Sequence, residues 1–481
     1  MQAAPVLNIL GILLAVLGGA MLAPMSFDLL AGDPNWQAFG VAALVTSFCG
    51  VCLWLSFKRP ADTDLGLKEA FLLTNGAWVF IGLFGALPLY FSSLELSVTD
   101  ALFESVSGIT TTGSTILPYI EASSYGVLLW RALLQWLGGV GIIVMALAIF
   151  PMLSVGGMQL FKTESFEAAD KVIPRARQLA GGIFTVYTAL TGLWALMMFA
   201  AGMPLFDAVT HAMTTLATGG YSTRTLSIGA YQSQIIELIV ILGMIVGSLP
   251  FVHYLALTRG GWRNLLSDPQ VKWFAVLGLS VILLISYSLY RDGMGLAQAL
   301  RLSAFNAISV LTGTGYGTAD FAQWGGSATT ILLICMFIGG CAGSTTCGIK
   351  IFRLQVLAST IKVQLARLLR PHAVVLAYYN RRPVPDTVMD AVMGFFYLYI
   401  LCFVIITMLL GMLGLDFDTA LSGAATSISN VGPGLGDVIG PAGDFSTLPD
   451  AAKWVMCFAM LLGRLELFTV LVVLNPLFWR R

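Results

Sequence analysis

The stretch SVLTGTGYGT, residues 309–318, places three glycines, three threonines and a tyrosine between apolar segments. Such a stretch can be a glycine loop that binds a nucleotide, a flexible turn, or an extended strand whose carbonyl groups surround an ion. A dinucleotide loop requires a βαβ unit around it, and the long apolar segments on both sides do not indicate one. The surrounding sequence therefore has to decide between the other two interpretations.

The composition of the 481-residue chain is that of a membrane protein. Apolar residues make up 57% of it and charged residues 10%, against roughly 25% charged residues in an ordinary soluble domain. A helix needs about 20 mostly apolar residues to cross the hydrocarbon core, and the chain has room for about ten such spans. The first apolar segment, 6–30, lacks the features of a cleavable signal peptide, so we expect it to remain as an anchor.

Most basic residues fall into five segments of the chain. They are Lys58, Arg59 and Lys68; Lys162, Lys171, Arg175 and Arg177; Arg259, Arg263 and Lys272; Lys350, Arg353, Lys362, Arg367, Arg370, Arg381 and Arg382; and Arg480 and Arg481. The positive-inside rule places all five in the cytoplasm, together with both termini. The outer loops then carry mainly acidic residues, which concentrate cations. A formal net charge of zero, without a basic stripe on a soluble domain, argues against nucleic-acid binding.

Four stretches of the chain align with one another around one glycine each. They are DALFESVSGITTTGST (100–115), DAVTHAMTTLATGGYS (207–222), LSAFNAISVLTGTGYG (302–317) and TALSGAATSISNVGPG (419–434), with anchors Gly113, Gly220, Gly315 and Gly432. Six positions before each anchor the residue is serine or threonine. Similarity at aligned offsets indicates an internal repeat.

Each copy predicts a short amphipathic helix followed by an extended strand, and a full-length apolar segment lies on either side. Irregular backbone at membrane depth is tolerated only where it is buried in protein or lines water, so we expect the four strands to converge on one axis. The predicted fold is an all-α polytopic membrane protein with four fused membrane–pore–membrane repeats around one pseudo-four-fold pore. Two extra transmembrane helices (1–62) precede the repeats, whose predicted bounds are 63–160, 175–262, 268–382 and 383–481.

This arrangement favours a cation. Glycine accepts backbone angles that let successive carbonyl groups point the same way, and stacked rings of carbonyl oxygens can replace the hydration shell of an ion. The negative ends of the short helices point toward the same axis. The pattern therefore indicates an ion pathway.

The four strands resemble those of a known family. GTGYG (313–317) resembles the TVGYG filter of potassium channels, while ITTTGST (109–115), ATGGYST (217–223) and SNVGPG (429–434) look like its degenerate partners in the Trk/Ktr/HKT superfamily of potassium transporters. Over essentially the whole chain, the sequence is most similar to the membrane subunit of bacterial Trk potassium uptake systems. The resemblance implies a potassium-selective pore in the bacterial inner membrane and a homodimer. It also implies a cytosolic nucleotide-binding regulatory subunit of the TrkA type, through which a nucleotide acts, and no covalent cofactor.

The resemblance also implies which residues bind potassium. The expected filter consists of Thr111, Thr112, Gly113, Thr218, Gly219, Gly220, Gly313, Thr314, Gly315, Asn430, Val431 and Gly432. Gly113 favours potassium, since sodium-conducting members of the superfamily carry serine at that position. Only the third copy retains GYG, and the fourth contains Asn430 and Pro433, so the symmetry is approximate and we expect weaker selectivity than in a true four-fold filter.

The inner half of the pore is predicted from ILLICMFIGGCAGSTTCGIKIFR (331–353), which changes from an apolar helix to small residues. Small residues in membranes often mean close helix packing, but this run is too dense in them to remain helical comfortably. In the family the equivalent stretch resembles an intramembrane loop beneath the filter. We therefore predict a flexible gate that includes Gly339, Gly340, Gly343, Ser344, Thr345, Thr346 and Gly348.

Arg464 lies inside the last apolar segment, 454–477, and is a functional candidate because a charge at that depth should face protein or water. It is either part of an electrostatic barrier with the loop or an anchor bonded to carbonyl groups of a neighbouring helix. Glu466, two positions later, is not an obvious partner on a helix.

His211 is expected to be a packing histidine rather than a proton relay, and Glu237 is expected to pair with an outer basic group. Arg224 shapes the outer mouth or is a solvated loop charge.

Two transport functions remain open. A channel suffices for uptake, because a membrane potential of 100 mV supplies about 2.3 kcal/mol per charge, which supports roughly fifty-fold accumulation. The alternative is a symporter coupled to protons or sodium, although the aligned strands contain no Asp, Glu or His relay. An enzyme is not expected, since no nucleophile–base set or metal cluster is evident. The basic connection 350–386 is either a surface for the regulatory partner or a topology signal alone.

Overall fold

The computed structural model describes residues 3–57, 66–149, 153, 156–161, 172–257 and 262–480, and helices dominate these residues. The strands within them form one short antiparallel pair, Tyr378–Tyr379 with Arg382–Pro383. Seven of the described helices are long and apolar enough to cross a membrane, or eight if a bent pair near the end of the chain counts as one span. The predicted all-α polytopic membrane fold is confirmed.

The N-terminal helices lie at Ala3–Ala20, Leu22–Ala31 and Trp36–Ser56, and the first two together make one span. Glycines let this pair of spans pack closely. A β-carbon placed on Gly11 would lie 2.7 Å from the carbonyl oxygen of Gly50, so the two backbones touch where both residues lack a side chain.

Each of the four following units has an outer helix, a short pore helix and an inner helix. The outer helices are Leu67–Gly85 with Leu87–Phe91, Val172–Ala200, Pro269–Arg291 and Asp386–Met412. The pore helices are Val98–Ile109, Leu205–Leu216, Leu296–Leu311 and Phe417–Ser429. The inner helices begin with Tyr125–Val144, Gln234–Ser248, Gly325–Met336 and Asp450–Arg464.

Shorter elements connect these helices. A π-helix, Met145–Ile149, continues the first inner helix. Further short helices are Ile120–Ala122, Met158–Phe161, Ser227–Tyr231, Trp262–Ser267, Phe321–Gln323, Gly436–Ile439 and Pro476–Trp479. The repeat boundaries stay predictions, and segments 58–65, 162–171 and 258–261 near three of them lie outside the described residues.

Burial places the pore helices at the centre. Every residue from Ala101 to Ile109 in the first of them is buried, whereas the hydrophobic window of the fourth outer helix is only 22% buried. Such an outer helix is apolar all round because it faces lipid.

Side chains at the exposed outer ends cap two pore helices. The hydroxyl of Ser97 accepts a hydrogen bond from the N–H of Asp100, and the carboxylate of Asp416 accepts one from the N–H of Thr419. Hydrogen bonds from the hydroxyl and N–H of Thr419 hold the pKa of Asp416 below its usual value.

Three inner helices are broken, which explains why fewer long spans are found than the predicted ten. The second resumes as Phe251–Leu257, the third as Ile351–Leu369 and the fourth as Phe468–Leu474. The prediction of one continuous last span over 454–477 is wrong: its two helices meet at 115°. The chain turns at Glu466 and Leu467, whose φ angles are 62° and 45°, in the left-handed region that a helix cannot use.

Candidate functional site

The segment that follows each pore helix has the same backbone pattern. The φ angle is positive at the anchor glycine and at the residue two positions before it. The pairs are Thr111 (53°) and Gly113 (88°), Thr218 (49°) and Gly220 (78°), Gly313 (66°) and Gly315 (81°), and Asn430 (56°) and Gly432 (112°). In a regular strand successive residues face opposite sides, and left-handed residues at every second position allow successive carbonyl groups to share one side.

Positive φ angles at threonine are uncommon. Thr111 and Thr218 are β-branched, so the left-handed conformation is strained there. Such strain persists only where the surrounding structure imposes it, and it concentrates at functional sites. The two threonines are among the predicted filter residues.

The four segments interlock in a closed ring. A β-carbon placed on Gly113 would overlap the carbonyl oxygen of Gly219 in the second copy. In the same way, a β-carbon on Gly220 would overlap the carbonyl oxygen of Thr314, and one on Gly315 would overlap that of Val431. A β-carbon on Gly432 would lie 2.9 Å from the carbonyl oxygen of Thr112. Each segment thus touches the next, and the fourth closes on the first. These contacts bring the predicted filter residues of all four copies side by side, which agrees with the predicted convergence of the strands.

One backbone hydrogen bond is repeated in all four copies. The backbone N–H of the residue directly before each anchor glycine donates to the carbonyl of the serine or threonine six positions before that glycine. The pairs are Thr112 with Ser107, Gly219 with Thr214 and Thr314 with Ser309, each at 2.9 Å, and Val431 with Thr426 at 3.0 Å. The serine and threonine column of the alignment therefore fastens each segment to its own pore helix.

Two tyrosines attach their segments to the neighbouring copy. The hydroxyl of Tyr316, in the GYG stretch, lies 2.5 Å from the hydroxyl of Thr214 in the second pore helix. The hydroxyl of Tyr221 donates to the carbonyl of Glu104 in the first pore helix at 2.8 Å. Both tyrosines are buried, and their hydrogen bonds to the neighbouring pore helices support the ring at its outer circumference.

Sequence reasoning missed Gln135, which lies in the first inner helix and is fully buried. Its Nε2 donates to the carbonyl of Gly219 at 2.5 Å and its Oε1 accepts from the N–H of Tyr221 at 3.0 Å. The available signal was a glutamine, four residues after Arg131, in a mostly apolar helix. It supports the second segment from behind.

The outer face of the ring opens into a small cavity of about 70 Å³, lined by residues of all four copies, including Gly113, Gly220, Gly315 and Pro433. Arg224 also lines it, and its guanidinium lies 3.1 Å from the carboxylate of Asp207. This position agrees with the interpretation that Arg224 shapes the outer mouth.

The run of small residues in the third inner helix is a loop, as predicted, since helix ends at Met336 and resumes at Ile351. The loop is attached to the break in the second inner helix. The N–H groups of Cys341 and Thr345 donate to the carbonyls of Ser248 and Gly247 at 3.0 and 3.1 Å. The predicted flexible gate is thus a buried, hydrogen-bonded loop in this state.

Thr345 joins the loop to the second of the predicted filter segments. Its Oγ1 lies 3.0 Å from the hydroxyl of Thr218 and donates to the carbonyls of Leu216 and Gly247 at 3.1 and 2.9 Å. Two predicted groups, the filter and the gate, therefore meet at a pair of threonines.

The structure also brings Arg464 to the loop. Its Nη1 donates to the carbonyl of Thr345 at 2.9 Å and contacts Sγ of Cys347 at 2.6 Å, and its Nη2 donates to the carbonyl of Gly138 at 2.9 Å. Arg464 thus has the carbonyl partners expected of an anchor, and one of them belongs to the predicted gate. Glu466 pairs instead with Arg353, a partner that the sequence did not indicate, although its spacing had made a pair with Arg464 not obvious.

Two basic residues assigned to the cytosolic surface are instead buried beside the loop. Nζ of Lys350 donates to the carbonyl of Thr346, and Arg353 donates to the carbonyl of Gly156 at 2.9 Å. The prediction of a surface position is wrong for both, because each finds carbonyl partners where the third inner helix resumes. The other five basic residues of that connection are exposed: Lys362, Arg367, Arg370, Arg381 and Arg382.

The remaining predictions concern single side chains. Both ring nitrogens of His211 have partners, the carbonyl of Asp207 at 2.7 Å and the hydroxyl of Ser222 at 2.9 Å, which agrees with a packing role. Glu237 pairs with Arg301 of the third pore helix through two hydrogen bonds of 2.8 and 2.7 Å, as predicted.

Comparisons with known proteins agree on one family. Residues 36–478 match the model of the TrkH family, described as cation transport protein. The chain is 44% identical to the Trk system potassium uptake protein TrkI of Halomonas elongata, covering 99% of this chain and 97% of that protein. It is 37% identical to the Trk system potassium uptake protein TrkH of Vibrio parahaemolyticus, with full coverage of both. The crystal structure of the potassium transporter TrkH from Vibrio parahaemolyticus superimposes with a TM-score of 0.91 at 36% identity, again over both whole chains. The chain therefore belongs to the TrkH family of cation transport proteins.

Proposed function

We propose that this protein conducts potassium ions across the bacterial inner membrane through the ring of four filter segments. The observation that carries the proposal is the ring itself, in which four segments with one left-handed pattern interlock around a common centre. Carbonyl oxygens arranged in rings replace the hydration shell of a cation of suitable size. Relatives over the whole length of the chain are named potassium uptake proteins, which supports potassium as the ion.

The filter in this proposal consists of the twelve predicted residues of the ring. Gly113 occupies the position that is serine in the sodium-conducting members, and a β-carbon there would overlap the neighbouring segment. The fourth segment differs from the others, because the side chain of Asn430 donates to the Thr112 hydroxyl at 2.8 Å and to the Met460 carbonyl at 2.9 Å. We expect this asymmetric contact to weaken the selectivity of the filter for potassium over sodium.

The gate is the loop between the third inner helix and its continuation, together with Arg464. Among the described residues, the buried charged groups beside it are the cations Lys350, Arg353 and Arg464 and the carboxylate of Glu466. An excess of positive charge in a medium of low dielectric constant opposes the passage of a cation. Opening then requires the loop and Arg464 to move apart.

A cytosolic nucleotide-binding subunit of the TrkA type would move that gate. The helix Ile351–Leu369 continues directly from the loop and carries the exposed Lys362 and Arg367. Apolar Leu368 and Leu369, exposed by 79% and 84%, lie beside these charges, and exposed apolar groups rimmed by charge mark interaction surfaces. A nucleotide would act through this subunit. We also propose a homodimer, as in the superfamily.

Both termini are proposed to be cytoplasmic. Nζ of Lys68 donates to the carbonyl of Arg480 at 3.0 Å, so the first and the last of the five basic segments lie together. A shared side is what the positive-inside rule requires of them.

The reversal potential of the purified protein in a planar bilayer tests the function. Potassium is placed on one side and sodium on the other, and a pH gradient is added in a second run. A reversal potential that follows potassium and ignores pH is the expected result. One that shifts with the proton or the sodium gradient in a fixed stoichiometry would instead establish coupled symport.

A further inference from the structure

A polar side chain nine positions before the anchor holds the outer end of the filter segment in the first three copies. His211 lies 2.9 Å from the hydroxyl of Ser222, two positions after its anchor. Nδ2 of Asn306 donates to the hydroxyl of Thr318, three positions after its anchor, at 2.9 Å. In the fourth copy, where the equivalent residue is a glycine, the neighbouring Ser422 accepts from the N–H of Leu435 at 2.9 Å.

The first copy has a charged residue at this position. Glu104 is fully buried, and its two carboxylate oxygens accept from the hydroxyl of Thr115 at 3.0 Å and from the N–H of Ile116 at 2.9 Å. A buried carboxylate is costly unless it is paired. Its partner is Arg131 of the first inner helix, whose Nε lies 2.7 Å away and whose side chain is 1% exposed.

Arg131 extends the brace to a second filter segment. Its Nη1 donates to the carbonyl of Ser222 at 3.0 Å, and its Nη2 donates to the hydroxyl of Thr115 at 3.2 Å. The guanidinium also lies over the ring of Tyr221, with 4.1 Å between Cζ and the ring centroid. One ion pair thus contacts the outer ends of both the first and the second segments, whereas the neutral braces each hold one.

We infer that Glu104 and Arg131 form a positioning pair that sets the spacing of the first two filter segments and thereby the selectivity of the pore. The inference rests on the proposed function, because it concerns the ion that the ring accepts. Charge-assisted hydrogen bonds are shorter and stronger than neutral ones, so this pair resists widening of the ring more than the other three braces. Its two charges offset each other, so it acts through geometry and adds no net charge at the mouth.

The test measures the potassium-to-sodium permeability ratio from reversal potentials of the full-length protein in bilayers. Arg131→Lys keeps the charge and loses the planar fork of donors. Thr115→Val removes the shared hydroxyl without touching either charge. The double variant Glu104→Gln with Arg131→Met removes both charges, so that neither is left buried alone. We expect the ratio to fall in all three, by roughly tenfold in Arg131→Lys, the factor that corresponds to the loss of one charge-assisted hydrogen bond.

The pair Glu237 and Arg301 supplies a matched control, since it also joins an inner helix to a pore helix, and its Arg301 side chain is 39% exposed. The double variant Glu237→Gln with Arg301→Met should leave the ratio unchanged. An unchanged ratio in Arg131→Lys and Thr115→Val, or an equal fall in the control, overturns the inference. A wild-type protein without potassium selectivity overturns the proposed function instead. If the charge-free double variant does not fold, the other two variants still decide the question.

Discussion

Arg464 donates a hydrogen bond of 2.9 Å to the carbonyl oxygen of Thr345. This contact joins the last residue of the first helix of a broken span to the loop beneath the second filter segment. Thr345 in turn contacts Thr218 in that segment. Filter, loop and broken helix are therefore linked through three residues, and disturbing any one of them should change ion flow.

Replacing Arg464 by alanine should raise the basal potassium flux. A unit charge about 8 Å from a permeating ion contributes about 2 kcal/mol at an effective dielectric constant of about 20, or roughly thirtyfold in rate. The measurement is potassium-driven uptake of a tracer ion into liposomes that contain the membrane protein alone. Arg464→Lys keeps the charge and serves as the control, with a flux near that of the wild type. If Arg464→Ala conducts no faster than the wild type, the guanidinium is an anchor and no barrier.

Thr345→Val should weaken the closed state of the loop. The substitution is close in shape but removes the hydroxyl contacts to Leu216, Gly247 and Thr218, each worth about 1 kcal/mol. We expect basal flux to rise several-fold in the same liposome assay. Ser344→Ala is the comparison, because the Ser344 hydroxyl bonds only to Cys341 and Thr346 among the described residues. Equal behaviour of the two variants would show that the contacts between loop and filter do not hold the gate.

Gly315→Ala should reduce potassium selectivity as well as stability. Gly315 has a φ angle of 81°, and a β-carbon there would overlap the carbonyl oxygen of Val431, so the ring must widen to accept it. Gly293 is the matched control, since its φ angle is 97° and nothing lies within 4 Å of the added carbon. Both substitutions carry the left-handed strain of about 1–2 kcal/mol, but we expect only Gly315→Ala to change the permeability ratio measured by reversal potential.

Removing one partner of the buried pair Arg353 and Glu466 should destabilise the protein. The two side chains are 0% and 8% exposed, and Glu466→Gln leaves the guanidinium without its counter-charge. The expected loss is about 3 kcal/mol or more in the free energy of unfolding, measured by thermal or denaturant unfolding in detergent. Asp292→Asn should cost less than about 0.5 kcal/mol, because surface pairs contribute little; its pair with Arg291 is 47% and 64% exposed. If Glu466→Gln lowers the free energy of unfolding by no more than Asp292→Asn does, water reaches the buried pair.

Much of the filter could be predicted because each copy carries its own local signal. The glycines at the anchors need left-handed angles, and four such glycines at equal offsets from a serine or threonine indicate one repeated structure. Gly113, Gly220, Gly315 and Gly432 all have positive φ angles. The break in the third inner helix was also predictable, since a run of glycine, serine and threonine has little tendency to remain helical.

The supports of the filter could not be predicted in the same way. Glu104, His211 and Asn306 occupy one column of the alignment but differ in chemistry, and the role they share appears only in their contacts. Arg131 and Gln135 lie in another helix, so no pattern within the pore segments points to them. The positive-inside rule placed Lys350 and Arg353 in the cytoplasm. A sequence shows that a residue is basic, but it does not show which carbonyl groups surround its side chain.

The sequence by itself determined the membrane class, the four copies and the left-handed glycine positions, because hydrophobic length, periodicity and the absence of a side chain act locally. Only the tertiary structure decided how the four segments close into a ring and where the last span bends. It also decided which buried charges meet beneath the filter and behind it. Those outcomes depend on contacts between residues far apart in the chain, such as Arg464 with Gly138 and Ser114 with Gly432, and a buried polar group acquires its role from the partner that satisfies it.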